Sequence, residues 1–174
     1  MKIFITGQPG VGKTTLLKKI DRFCRDIGLT TFGFITEEVR EGKNRIGFDF
    51  INLKTNERYN FASIYKITPY KFGKYYLNID KFEEIIEQIF YQEGDIFILD
   101  EIGRMEFYSE KFKKRILEYL ERDKNIIASL HRDFVNIFKK YGKIYQLTYE
   151  NRDLVLKEVE REILKNFNLD FLLK

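Results

Sequence analysis

The segment GQPGVGKTT, residues 7–15, concentrates three glycines, a lysine and two threonines directly behind an apolar run. Gly7, Gly12, Lys13 and Thr14 have the spacing G-x-x-x-x-G-K-[ST]. In this pattern the glycines let successive backbone N–H groups curl inward around an anion, and a following helix adds its positive N-terminal end. We therefore predict that residues 7–15 form a phosphate-binding loop, called the phosphate loop below.

Several residues of the phosphate loop have a predicted contact with a nucleoside triphosphate. Lys13 is expected to reach the β- and γ-phosphates, and the Thr14 hydroxyl is expected to bind Mg²⁺. Thr15 is expected to contact the α-phosphate. The complete set of predicted phosphate-binding residues is Gly7, Gln8, Pro9, Gly10, Val11, Gly12, Lys13, Thr14 and Thr15.

Two adjacent carboxylates could complete such a site. The run IFILD, residues 96–100, ends in Asp100, and Glu101 follows directly. If this run is a strand beside the strand of the phosphate loop, Asp100 stands at the carboxyl edge of the sheet and can hold Mg²⁺, as a Walker B aspartate does. Glu101 can then accept a proton from a water molecule that attacks the γ-phosphate. A solvated acidic turn is the alternative for both residues.

The same segment allows another interpretation. Asp100 to Gly103 fit D-x-x-G, the element with which GTPase switches sense the γ-phosphate. Such GTPases also carry N-K-x-D for guanine after a later strand, whereas this chain has Asn151, Arg152 and Asp153, one residue short. The guanine signature is therefore missing. These three residues could still line a base pocket, and the alternative for Asn151 is to cap the last helix.

Arginine side chains could stabilise the charge that spreads over the γ-phosphate oxygens during phosphoryl transfer. Arg104 and Arg132 each follow a predicted strand, near the carboxyl edge where ligands bind. An ordinary surface position is the alternative for either one. Ser129 and His131 end the second of these strands and could sense the γ-phosphate or position water, or else cap and pack.

Alternating strands and helices must position these side chains. Short, nearly continuous apolar runs predict buried strands at residues 2–6, 95–100, 125–130 and 143–148. Helical periodicity is found at residues 13–28, 79–92, 109–122 and 131–141 and from Glu150 onward. This alternation predicts right-handed βαβ units and therefore a mainly parallel sheet with helices on both faces.

The middle of the chain has a different pattern. Residues 30–39, 45–53 and 57–64 are linked by short polar turns and predict antiparallel strands that extend one edge of the sheet. Residues 65–78 contain four tyrosines, a proline and a glycine and predict a loop, whose tyrosines cover bound nucleotide or pack beneath it. We expect one domain over residues 1–174, with an antiparallel insertion at about 33–64.

Composition excludes several classes of protein. The 174 residues are 44% hydrophobic and 33% charged, which is typical of a folded globular chain with one core. Its 31 basic and 27 acidic residues are interspersed, so nucleic-acid binding is not implied. Cys24 is the only cysteine, and no apolar stretch is long enough to span a membrane. We expect a cytoplasmic protein without a membrane partner; no pattern specifies an oligomeric state.

Four segments together resemble a known family, the small nucleoside triphosphatases of thermophiles and animals, the latter called cancer-related nucleoside triphosphatase. They are ITGQPGVGKTTL (5–16), GFITEEVREGKNRIGFDFINL (33–53), ILDEIGRMEF (98–107) and ENRDLV (150–155). The resemblance implies an open three-layer α/β fold and Mg²⁺-dependent hydrolysis of ATP, GTP, CTP and UTP to diphosphate and phosphate, with little base preference. It also implies a second nucleotide-binding stretch, formed by Phe97, Ile98, Leu99, Asp100, Glu101, Ile102, Gly103 and Arg104.

Two other functions would use the same phosphate loop. A small-molecule or nucleoside kinase would need an acceptor pocket, which residues 33–78 could form. A binding switch would hydrolyse its nucleotide slowly while a partner protein reads the nucleotide state. Release of phosphate from ATP without any acceptor distinguishes hydrolysis from the first alternative, and slow turnover favours the second.

Overall fold

A computed structural model describes residues 1–173, which form nine strands and five α-helices. The strands are β1 (Lys2–Gly7), β2 (Thr31–Glu41), β3 (Asn44–Asn52), β4 (Arg58–Ser63), β5 (Lys71–Phe72), β6 (Tyr75–Leu77), β7 (Ile96–Ile102), β8 (Ile126–Leu130) and β9 (Lys143–Leu147). The helices are α1 (Lys13–Asp26), α2 (Ile79–Phe90), α3 (Glu110–Leu120), α4 (Val135–Phe138) and α5 (Arg152–Asn166). Short 3₁₀ turns occupy Glu106–Tyr108, Arg132–Phe134 and Asp170–Leu173.

All nine strands belong to one sheet, in the order β5-β6-β4-β3-β2-β7-β8-β1-β9. The neighbours from β2 to β9 in this order pair in parallel, and the strands from β3 to β5 continue from β2 as antiparallel neighbours. The predicted α/β fold is thereby confirmed, as a mixed sheet with a parallel part and an antiparallel extension at one edge.

One predicted neighbour relation is wrong. The strand that ends in Asp100 does not lie beside β1, because β8 is inserted between β7 and β1. A right-handed crossover through α3 allows β8 to pair with β7 on the side that faces β1. The sequence pattern does not distinguish the order β7-β8-β1 from the expected order, in which β7 pairs with β1. As a result, residues at the carboxyl end of β8 also reach the edge where the phosphate loop lies.

Helices cover both faces of the sheet, which explains why the parallel strands are apolar at almost every position. On β1, Ile3 and Ile5 face the core beneath α1 and α5, whereas Phe4 faces the opposite core beneath α2, α3 and α4. The second core is rich in phenylalanine, and its fully buried rings include Phe34, Phe50, Phe82, Phe97 and Phe112. No helix within residues 1–173 is long and apolar enough to cross a membrane.

Residues 65–78, predicted to be a loop, include the hairpin of β5 and β6. This hairpin joins the sheet through the pairing of Leu77 with Ala62 on β4. Tyr75 and Leu77 turn into the core, whereas Tyr65 and Tyr70 are exposed. Strands of two and three residues are too short to produce a periodic signal, which is why the pattern did not predict them.

The helices differ from prediction mainly at their ends. α1 ends before Gly28, whose φ of +86° is left-handed and whose N–H donates to the carbonyl of Arg25, as expected for a glycine behind a helix. The segment 131–141, predicted to be helical, is reduced to a 3₁₀ turn and the four residues of α4. The chain therefore crosses from β8 to β9 with a short connection that leaves His131 and Arg132 beside the phosphate loop.

Candidate active site

A cleft of about 530 Å³ opens at the carboxyl ends of the parallel strands. The phosphate loop forms one wall, through residues that include Gly7, Gly10, Gly12, Lys13, Thr14 and Thr15. Asp100 and Glu101 at the end of β7, Thr36 on β2 and Arg132 after β8 line the same cleft. The structure thus brings together residues from four separate parts of the chain, as a ligand site at the edge of an open α/β sheet requires.

The phosphate loop has the backbone conformation that its glycines permit. Gly10 and Gly12 have φ angles of +78° and +101°, a left-handed region that side chains other than glycine rarely adopt. Gly12 directly precedes α1, so the first N–H groups of that helix face the cleft without an intrahelical partner. The ammonium group of Lys13 folds over the loop and donates to the carbonyl oxygens of Gly7 at 3.2 Å and Gln8 at 3.4 Å.

Asp100 is 2% exposed, and three hydroxyl groups hold its carboxylate. Thr14 Oγ1 and Thr36 Oγ1 donate to Oδ2 at 2.6 and 2.9 Å. Ser129 Oγ donates to Oδ1 at 2.5 Å. The three donors come from α1, β2 and β8, so they fix the orientation of the carboxylate relative to three different elements.

The oxygens of Thr14 and Asp100 are of the type that Mg²⁺ prefers. One hydroxyl oxygen and one carboxylate oxygen lie side by side at the edge of the cleft, 2.6 Å apart. Mg²⁺ is commonly bound by one or two such protein oxygens, while water and substrate phosphates supply its other ligands. The donor set therefore fits a magnesium ion that is shared with a bound triphosphate.

Glu101 is half-buried beside Asp100, to which it is joined by a cis peptide bond. Burial raises the pKa of its carboxyl group to about 7, the negative charge of Asp100 adds to this rise, and the ammonium group of Lys13 opposes it. A carboxylate whose pKa lies near 7 is suited to exchange protons with a reacting group at neutral pH.

The two candidate arginines occupy different surroundings. Arg132 lines the cleft, and its Nη1 lies 3.5 Å from Oε1 of Gln8 in the phosphate loop. Arg104 instead forms an ion pair with Asp133 and lines a neighbouring cavity. Arg132 is therefore the better placed of the two to meet a bound phosphate.

His131 takes the capping role that was one of its two predicted alternatives. Its Nδ1 accepts a hydrogen bond from the N–H of Asp133 at 3.3 Å, at the start of the 3₁₀ turn. Burial lowers the pKa of the imidazole, which favours its neutral form near pH 7. The side chain also lines the cleft, so capping leaves it within reach of a ligand.

Four residues of the predicted second nucleotide-binding stretch have side chains that lie away from the cleft. The side chains of Phe97, Ile98, Leu99 and Ile102 are fully buried in the two cores and do not line the cleft. The reason is that β7 is covered by helices on both faces, so only the polar residues near its carboxyl end can meet a ligand. Val11 is likewise 2% exposed and packs beneath α1.

Asn151 neither lines the cleft nor caps α5 with its side chain. It accepts from the N–H of Thr148 at 2.8 Å and donates to the carbonyl of Gln146 at 2.8 Å, so it orders its own loop. Its neighbour Arg152 donates from Nε to the carbonyl oxygen of Val11 at 2.8 Å and lines a small cavity beside the phosphate loop. Arg152, rather than Asn151, thus connects this segment with the predicted nucleotide site.

Several residues of the cleft were not predicted from the sequence. Thr36 is one, and Glu37 and Glu38 follow it on β2. Lys18 and Arg58 pair with Glu37 and keep the pKa of its carboxyl low, mainly through the hydrogen bond from Lys18. A polar T-E-E triplet behind the apolar run of β2 was the available signal, but only the pairing of β2 with β7 shows that it faces Asp100.

A family model described as NTPase matches residues 2–160 of the chain. The nucleoside-triphosphatase THEP1 of Methanocaldococcus jannaschii is 44% identical over 167 residues, which are 94% of this chain and 98% of the relative. The nucleoside-triphosphatase THEP1 of Thermotoga maritima is 42% identical over 168 residues, covering 91% and 93% of the two chains.

Two solved structures resemble the fold. The crystal structure of THEP1 from Aquifex aeolicus has a TM-score of 0.77 at 36% identity, over 91% of this chain and 96% of that one. The solution structure of a human cancer-related nucleoside triphosphatase has a TM-score of 0.79 at 28% identity, over 94% and 97%. The likeness therefore includes the antiparallel extension as well as the parallel strands, since almost the full length is covered in each comparison.

Proposed function

Since the chain belongs to the NTPase family and is a nucleoside-triphosphatase, we propose that it hydrolyses ATP, GTP, CTP and UTP to the diphosphate and phosphate, with Mg²⁺ as cofactor. The observation that carries this proposal is the meeting of Lys13, Asp100 and Glu101 at one cleft. These residues supply a cation for the phosphates, a carboxylate for the metal and a proton acceptor for water, which are the parts that phosphoryl transfer to water requires.

Binding of the triphosphate is assigned to the phosphate loop and Lys13. The inward-facing N–H groups and the N-terminal end of α1 surround the β-phosphate, and the Lys13 ammonium moves from the carbonyls of its own loop to the β- and γ-phosphate oxygens. Thr14 and Asp100 would hold Mg²⁺, which neutralises charge on the phosphate oxygens when bound. Thr36 and Ser129 keep Asp100 oriented for this purpose.

The chemical step is assigned to Glu101 and a water molecule. The water oxygen forms a bond to the γ-phosphorus while its proton passes to the Glu101 carboxylate. The bond between the γ-phosphorus and the β–γ bridging oxygen breaks, and the diphosphate leaves with the electron pair. Arg132 is placed to stabilise the charge that spreads over the γ-phosphate oxygens.

A broad base preference is supported by what surrounds the segment 148–152. Asn151 uses both ends of its amide on its own loop, so it offers no fixed pattern of hydrogen bonds to a base. Arg152 lines an adjoining cavity of about 250 Å³, and its Cζ lies 4.6 Å from the centroid of the Tyr149 ring. A guanidinium plane next to an exposed aromatic ring can stack on any base, because every base has a π-face.

We also propose that residues 1–174 act as one domain. The support is that β2 pairs in parallel with β7 and antiparallel with β3, so that it is shared by the sheet core and the extension. Removing the extension would expose the phenylalanine-rich core that Phe50 and Phe61 share with α2.

A steady-state assay of phosphate release tests the proposal directly. With Mg²⁺ present, we expect ATP, GTP, CTP and UTP to have kcat/KM values within about tenfold of one another, since discrimination needs polar groups fixed on the base. Chelation of the metal should abolish release. Release from a single nucleotide only, or release that persists fully without a divalent metal, would overturn the proposal.

A further inference from the structure

A second cavity, of about 350 Å³, adjoins the cleft that holds the phosphate loop. Thr36, Phe48, Glu101 and His131 line both spaces. Glu101, the proposed proton acceptor, therefore faces the nucleotide cleft and the second cavity at once. A molecule in the second cavity would have one end beside the position where the γ-phosphate reacts.

The walls of the second cavity are mainly apolar. Phe48 comes from β3, Phe61 from β4, Phe72 from β5 and Met105 from the segment after β7. A water molecule that attacks a phosphate needs polar neighbours and little space, so hydrolysis does not require three aromatic rings there. Apolar side chains combined with a small number of polar groups, in a space of this size, are instead typical of sites for small organic ligands.

Among the residues that line the cavity, none offers an unpaired cation to a charged ligand. Glu106 lines it at 6% exposure and forms no ion pair with a cation in residues 1–173. Burial raises the pKa of this carboxyl group well above its usual range, with smaller contributions from Glu101 and Asp100, which favours its uncharged form. Arg104, at the same cavity, is paired with Asp133. These surroundings favour a neutral ligand.

We propose that the second cavity binds a small neutral aromatic alcohol, whose hydroxyl group stands beside Glu101 and accepts the γ-phosphoryl group in place of water. The inference rests on the proposed function, because the nucleotide is held by the same residues. The alcohol oxygen forms a bond to the γ-phosphorus, its proton passes to the Glu101 carboxylate, and the bond to the β–γ bridging oxygen breaks. The products are the nucleoside diphosphate and a phosphate monoester.

The antiparallel extension gains a role from this inference. Three of the four apolar walls belong to β3, β4 and β5, which contribute less to the phosphate site than the parallel strands do. Segment 33–78, which could form the acceptor pocket of a kinase, thus supplies four of the residues that line the second cavity, namely Thr36, Phe48, Phe61 and Phe72.

Benzyl alcohol is a suitable probe, and ³¹P NMR separates its phosphate ester from inorganic phosphate. The full chain is incubated with ATP and Mg²⁺, with and without the alcohol, and with ethylene glycol as a hydroxyl control that lacks an aromatic ring. We expect benzyl phosphate to form beside inorganic phosphate with the first probe and no ester with the second. Absence of benzyl phosphate while hydrolysis proceeds would overturn the inference and leave the proposed function intact.

Variants locate the transfer at the second cavity. Phe72→Ala should lower the ratio of ester to inorganic phosphate by about tenfold, since it removes a large part of one apolar wall. Phe171→Ala, which changes a ring that is 65% exposed and outside both spaces, should leave the ratio unchanged. If Phe72→Ala fails to fold, Met105→Ala tests the same cavity.

An unchanged ratio of ester to inorganic phosphate in a folded Phe72→Ala or Met105→Ala variant would overturn the assignment. Lack of phosphate release without alcohol would instead contradict the proposed function.

Discussion

The hydroxyl group of Thr14 donates to Oδ2 of Asp100 at 2.6 Å, although the two residues lie 86 positions apart in the chain. This hydrogen bond joins the beginning of α1 to the end of β7, and it sets two oxygen ligands side by side. The phosphate-binding and metal-binding parts of the proposed site are thus held in one arrangement by the fold itself.

Replacement of Asp100 tests the metal-binding assignment. Asp100→Asn keeps the shape of the side chain but removes its charge, so we expect a higher Mg²⁺ requirement and a fall in kcat of about 10²- to 10³-fold, as for the loss of several kcal/mol of charge stabilisation. Phosphate release measured over a range of Mg²⁺ concentrations checks this. The exposed Asp123→Asn is the matched control. An Mg²⁺ dependence identical to that of the wild type would refute the assignment.

Glu101→Gln should retain nucleotide binding and lose turnover. The amide cannot accept the proton of the attacking water, so we expect kcat to fall by about 10²- to 10⁴-fold, the usual contribution of a general base. Binding of a non-hydrolysable ATP analogue by calorimetry and phosphate release by assay separate the two effects. Glu121→Gln, an exposed position at the end of α3, serves as control. Turnover at the wild-type rate would remove Glu101 from the mechanism.

Lys13→Ala should weaken binding and turnover together. The ammonium group is expected to contact the nucleotide in the ground state and in the transition state, so its loss affects the Kd of an ATP analogue as well as kcat. The two constants can be measured on one preparation, with the exposed Lys124→Ala as the comparison. Wild-type affinity in the Lys13 variant would contradict the role given to the phosphate loop.

Arg132 and Arg104 provide a comparison within one protein. Arg132 lines the cleft, so Arg132→Ala should lower kcat/KM by about 10²- to 10³-fold, the range found when one preorganised donor is removed. Arg104 is engaged by Asp133 at the surface, and Arg104→Ala should lower hydrolysis by less than about fivefold. Equal losses of kcat/KM in the two variants, or a larger loss in Arg104→Ala, would contradict the assignment of Arg132 as the residue that stabilises the transition-state charge.

Glu106 should make stability depend on pH. Its pKa in the folded protein lies above 4.5, the usual value, so its contribution to stability is complete below pH 4.5 and is lost as the pH rises through the folded pKa. Over that interval the loss is ~1.4 kcal/mol per pH unit. Glu106→Gln has no such loss and should be more stable than the wild type at alkaline pH, and similar to it near pH 4. Denaturant unfolding of both proteins across this pH range checks the prediction. If the free energy of unfolding changes with pH in the same way in the variant and the wild type, the prediction is contradicted.

Local signals, each carried by a few consecutive residues, predicted much of the fold and of the candidate site. The phosphate loop could be identified because its conformation is specified by glycines and a lysine at fixed spacing, and Asp100 because it is a charged residue at the end of an apolar run. The helix faces followed from periodicity alone. In each case the determining interaction is local, so it is visible in consecutive residues.

The unpredicted features depend on contacts between distant segments. Thr36 and Ser129 bind Asp100 only because β2 and β8 are the two neighbours of β7, and that order is chosen by the packing of the crossovers. The hairpin of β5 and β6 is stabilised by the pairing with β4 and by burial of Tyr75, not by any property of its five strand residues. Sequence patterns carry no information on such partners.

Arg152 ties the last helix to the phosphate loop, through a hydrogen bond to a carbonyl 141 residues earlier in the chain. The candidate active site consequently depends on α5, although no proposed phosphate or metal ligand lies in that helix. A chain that lacks α5 would retain every proposed catalytic group and would lose the side chain that supports the phosphate loop through its backbone carbonyl at Val11.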